Sequence, residues 1–163
     1  MRQANLSLHE QIERALEELV NRHPDPGLSG LLLARLELGK TLQAVEDSLR
    51  TFAERSPGVG ASAPLRTLGS GMVEALDGIL LTAVEASREP GGEELAWLLR
   101  LTDDRSEMME RVRRQYLSAE SALNLDEKAT LQHLTGLFER LVWLFRQIGQ
   151  NLERWERLAR RQE

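Results

Sequence analysis

From Leu131 to Ala159 the chain places an apolar residue every three or four positions without a break: Leu131, Leu134, Phe138, Leu141, Phe145, Ile148, Leu152, Trp155 and Ala159. Only an α-helix brings that spacing onto one side. Asn124 and Glu127 stand at capping-box spacing ahead of it, so the helix is expected to start there. Continued to the C-terminus it reaches about 55 Å at 1.5 Å per residue. A stripe of that length needs other helices along all of it. The fold class expected is therefore all-α, an antiparallel up-and-down bundle of long helices.

The rest of the chain supplies those partners. A first helix is expected from Ser7, paired with Glu10 as a capping box, with Leu8, Ile12, Leu16 and Leu19 on one stripe. His23-Pro24-Asp25-Pro26-Gly27 ends it, because neither proline can donate a helical hydrogen bond. A second helix follows from about Leu28 to Arg55, its seam read as Leu31, Arg35, Leu38, Leu42, Val45, Leu49 and Phe52. Arg35 fits that seam as an aliphatic stem whose charged end reaches water or an acid. Ser56 to Pro64 reads as a loop with Pro64 in the first turn of the third helix. That helix runs to about Ser87 on Leu65, Leu68, Met72, Val73, Leu76, Ile79, Leu80 and Ala83. Gly69, Gly71 and Gly78 within it each cost about 1 kcal/mol relative to alanine, which predicts close approach by a neighbour. After Arg88 to Gly92, a fourth helix carries Leu95, Leu98, Leu99, Leu101, Met108, Met109, Val112 and Tyr116. Thr102, Asp103 and Asp104 either restart or kink it. The expected organisation is one domain over residues 1–163, a short first helix at 5–24 and a main bundle at 28–163.

Composition narrows the function classes. The chain has 163 residues, a net charge of −5 and no cysteine. Disulfides and thiolate metal sites are thereby excluded. Glu74, Asp77, Glu85, Glu89, Glu93 and Glu94 make the middle acidic, whereas Arg140, Arg146, Arg154, Arg157, Arg160 and Arg161 enrich the end in positive charge. Nucleic acid is not an expected partner, because phosphate binding needs a basic face and the total is negative. No uninterrupted apolar run approaches the ~20 residues of a membrane span, and Met1 to Ser7 lacks the apolar core of a signal peptide. The expectation is a soluble protein of the cytoplasm, or of the cytoplasmic face of the inner membrane if joined to a transporter.

Catalytic chemistry finds no foothold in the pattern. His9, His23 and His133 have no second histidine at ligand spacing, and Gly58 and Gly60 lack the Lys-Ser or Lys-Thr of a phosphate loop. Glu13 with Glu17, and Asp103 with Glu107, share helix faces, as acids on solvated surfaces often do. No enzyme activity, cofactor or metal site is expected. Trp143 is different. It points away from the seam of the last helix, and Leu137, Val142 and Leu144 flank that seam, so these four are the candidate interaction surface.

Leu101 to Leu117 carries a second signal, above all Asp-Arg-Ser-Glu-Met-Met-Glu-Arg-Val-Arg-Arg at Asp104 to Arg114. It resembles a segment of the C-terminal, cytoplasmic, PhoU-like domain of bacterial sodium-dependent phosphate symporters. Leu33 to Lys40, Ala75 to Thr82 and Leu137 to Leu144 match in the same order, so the resemblance covers about Leu31 to Leu144. It implies a PhoU-like bundle of three-helix repeats that regulates phosphate movement through contacts with an upstream membrane transport domain, with a homodimer as a further partner. Asp103, Asp104, Arg105, Glu107, Glu110 and Arg111 are the family-like residues without an assigned role. The chain itself contains no transport domain. PhoU proteins also bind metal through a helical acid-x-x-x-Asp pattern; Asp103-x-x-x-Glu107 only approaches it, so no metal ligand is carried over. The alternatives are a metal-binding PhoU-type module and a generic helical scaffold or dimerisation module.

Overall fold

A computed structural model describes residues 2–22, 26–56, 61–103, 114 and 124–160. Five helices make up almost all of them: α1 (Arg2–Arg22), α2 (Pro26–Arg55), α3 (Ala63–Arg88), α4 (Glu93–Leu101) and α5 (Leu125–Ala159). The described residues contain no strand. The protein is all-α, and α5, with 35 residues, is the longest of these helices.

α5 starts as its sequence requires. The Glu127 amide donates to Asn124 Oδ1 at 2.9 Å, and the Asn124 amide donates back to Glu127 Oε2 at 3.2 Å. The other carboxylate oxygen of Glu127 reaches across the bundle and accepts from the Ser62 amide at 2.8 Å, tying the start of α5 to the start of α3. The Ser62 amide, more than the Asn124 amide, holds the Glu127 carboxyl below its ordinary range. A lowered carboxyl pKa contributes stability that is present at neutral pH. That stability is lost as pH falls below the ordinary value of 4.5 and through the lowered one. A Glu127→Gln variant is expected to show a shallower loss of stability over that acid range than wild type. Thermal unfolding at a series of pH values measures the difference, and parallel curves would count against the clamp.

Contacts at both ends set the helix directions. Leu65 packs with Leu131 near the starts of α3 and α5, and Gly91 lies against Glu156 and Arg160 near their ends, so these two run parallel. α2 runs against them: Glu37 pairs with Arg154 at 2.8 Å, and Gly30 lies beside Leu158. α4 also opposes α5, from Gly91 beside Glu156 to Asp103, whose carboxylate meets Arg146 at 2.7 Å. The directions of α2, α3, α4 and α5 thus alternate. Packing follows a different plan. α5 touches α2, α3 and α4, whereas the consecutive helices α2 and α3 touch little, and α1 packs on α2.

That central place explains what α5 buries. Leu131, Leu134, Phe138, Leu141, Phe145, Ile148 and Leu152 are buried as the spacing predicts, and Val142, Leu144 and Gly149 join them. A helix with three neighbours must cover a wider arc than one seam. The seam of α2 keeps Leu38, Val45, Leu49 and Phe52 of the predicted one and loses Arg35 and Leu42. Ala34, Val45, Ser48 and Phe52 are buried, with Leu38 and Thr41 partly so, while Arg35 and Leu42 face outward. In α3 the buried line is Leu65, Gly69, Met72, Leu76, Ile79, Ala83 and Ala86, so Val73 and Leu80 do not belong to it.

Several boundaries move. α1 begins at Arg2, not Ser7, because Arg-Gln-Ala-Asn-Leu contains no breaker, and Ser7 lies inside the helix. α2 begins at Pro26, a residue suited to a first helical turn. α4 ends at Leu101, where the buried Thr102 hydroxyl donates to the Leu98 carbonyl at 2.7 Å. Met108, Met109, Val112 and Tyr116 lie outside the described residues, as does His23. The close approach expected of the α3 glycines holds only where Gly69 is buried. A Cβ at Gly71 or Gly78 would meet nothing within 4 Å. Gly78→Ala is therefore expected to raise stability by up to ~1 kcal/mol through helix propensity alone. A lowered midpoint in urea would show that something does press on that position.

Candidate interaction surface

Of the four residues expected to form an outward apolar patch, only Trp143 does so. Its side is 45% exposed, whereas Val142 and Leu144 are buried in the core and Leu137 packs against that core. The correction has the cause given above: three neighbours claim the flanks of α5. One turn away on the helix, Trp143 is surrounded by Glu139, Arg140 and Gln147, so its ring stands alone among polar side chains. α1 packs on α2.

Of the family-like residues, Asp103 is described. It is exposed and ion-paired with Arg146, whose guanidinium also donates to the Leu99 carbonyl at 3.4 Å. Asp104, Arg105, Glu107, Glu110 and Arg111 lie outside the described residues. The three shorter matching segments fall on α2, α3 and α5, one on each. Among the described residues no three His, Asp or Glu side chains gather as a metal site would require. The expected carboxylate pair Glu13 and Glu17 lies on α1, and Glu17 borders a cleft of about 410 Å³ between α1 and α2. Asn21, Leu33, Leu36, Glu37 and Lys40 complete its lining. It contains no nucleophile beside a base, and Glu37 already serves Arg154.

Among the described residues, α3 carries an outward apolar row that includes Val73 and Leu80, both expected to lie inside. On α3, Val73 is 50% exposed, Leu80 39%, Leu81 60% and Val84 40%. Val73, Asp77, Leu80 and Val84 follow one another in steps of four, three and four, the same spacing as the buried line beside them. The signal was present in the sequence as two interleaved rows on one helix. α3 is also the one helix among the described residues whose length and composition suffice to cross a membrane, with a mean hydropathy of 1.3 over its most apolar window. Counting uninterrupted runs missed this, because acids break the run without lowering the mean far. Core helices of bundles reach the same value, so it distinguishes little.

No family model, curated protein or solved structure matches the chain.

Proposed function

We propose that this chain is a helical regulatory domain that works through contacts with other proteins, its partner being the membrane transport domain of a sodium/phosphate symporter. The observation that carries the reading is the ordered resemblance from Leu31 to Leu144, strongest at Asp104 to Arg114. The all-α architecture is compatible with it, and so are the exposed apolar side chains on α3. The domain then changes transport by binding or releasing the transport domain, with no bond made or broken.

Phosphate uptake tests this directly. Cells carrying the symporter with residues 1–163 removed, or with the domain supplied separately, are expected to differ from intact cells in how uptake responds to phosphate supply. Identical uptake at every phosphate level, with the transporter present in equal amount, would refute the reading. Metal content separates the metal-binding alternative. Protein dialysed after purification is expected to hold no stoichiometric transition metal, and retained zinc or iron near one per chain would favour that alternative.

A further inference from the structure

We propose that the outward row of α3 seats a basic amphipathic helix of a partner protein. The proposal deepens the contact reading above by naming the chemistry of the partner. It is tested separately from transport.

Three observations select that occupant. The row from Val73 to Val84 runs about 17 Å along the helix, three turns, with apolar side chains at the steps that one helix offers another. Its setting is acidic: Ala63 to Asp103 holds seven acids and three arginines. Arg88 is engaged with Glu85 at 2.6 Å, and Arg100 lies over the Trp97 ring at 4.8 Å. Glu74 beside the row and Asp77 within it pair with no cation among the described residues. An incoming helix that covers the leucines also covers Asp77, and a covered carboxylate needs a facing Lys or Arg. The complement is an apolar stripe with basic flanks.

The same charges disfavour the other occupants. A symmetric pair of copies meeting through this face would set Asp77 and Glu74 against the same acids. Anionic lipid headgroups would meet the same repulsion.

The test uses the whole chain and a labelled peptide of about 15 residues, with leucines at i, i+3, i+7 and i+10 and lysines on both flanks. A twin carries glutamate for every lysine. Fluorescence anisotropy is expected to show the basic peptide binding at least about tenfold tighter than its twin, and weakening as salt rises. A Leu80→Ser/Leu81→Ser variant is expected to lose that binding while keeping its circular dichroism spectrum and thermal midpoint. A Glu74→Lys/Asp77→Lys variant is expected to reverse the preference between the two peptides. Equal affinity for both peptides, or no binding of either, would overturn the proposal. So would a dimer in sedimentation that Leu80→Ser/Leu81→Ser abolishes, or binding to vesicles of phosphatidylcholine and phosphatidylserine that the same variant removes.

Discussion

Replacing Phe145 with alanine is expected to destabilise the protein by about 3–5 kcal/mol. The ring is 1% exposed and shares the core with Phe138, Leu141 and Ile148 on its own helix and with residues of α2, α3 and α4. Removing it forfeits the transfer energy of a large apolar group. It also leaves a void that the surrounding helices can fill only in part, because each is anchored elsewhere along α5. That loss is a large share of the ~5–15 kcal/mol that holds a domain of this size together. Urea unfolding followed by circular dichroism gives the number. A midpoint equal to wild type would mean that α5 is rotated about its axis relative to the arrangement described.

Leu98→Ala is expected to cost about 2–5 kcal/mol, and to do so through one short helix. α4 has nine residues and fixes itself to the bundle mainly through Leu95 and Leu98, both buried. Leu98 is 0% exposed and lies beside Gly149, where α5 comes so close that a Cβ would meet Leu99 at 2.9 Å. With so few anchors, the loss falls on α4 before the remainder. Hydrogen exchange should then show the amides of Glu93 to Leu101 exchanging faster than those of α2 in the variant. Uniform acceleration along the chain would mean that α4 unfolds only with everything else. An unchanged midpoint would detach Leu98 from the core altogether.

How far the sequence could be read depended on how many neighbours each helix has. α5 was legible from Leu131 to Leu152 because large apolar residues repeat at one spacing and all of them are used. Its capping box was legible because Asn124 and Glu127 act locally. The α2 seam was legible at Leu38, Val45, Leu49 and Phe52 but not at Ala34 and Ser48, whose small side chains carry no hydropathy signal, and Arg35 and Leu42 were assigned to it wrongly. In α3 two rows with the same period lie side by side, and spacing alone cannot say which one faces inward. Val73 and Leu80 were assigned to the wrong row for that reason, and with them the outward row of α3 was hidden. Trp143 was recognised as outward-facing because the α5 stripe opposite it is complete. Val142 and Leu144 were misplaced with it, because a third and fourth helix cannot be inferred from the pattern of one.

The central position of α5 also governs the order of events during synthesis. α2 and α3 leave the ribosome early and are joined by a short connection, yet they have little surface in common. Their apolar lines wait for α5, which follows both of them in the chain. The Glu37–Arg154 pair spans 117 positions of sequence, a long closure for a helical protein, where most contacts are usually local. Until α5 emerges, the nascent chain has only the α1–α2 and α3–α4 contacts, and the apolar lines that pack on α5 stay uncovered, the condition in which chains aggregate or engage chaperones. A premature stop anywhere before Leu125 should therefore yield a product cleared by proteolysis rather than a smaller, folded bundle.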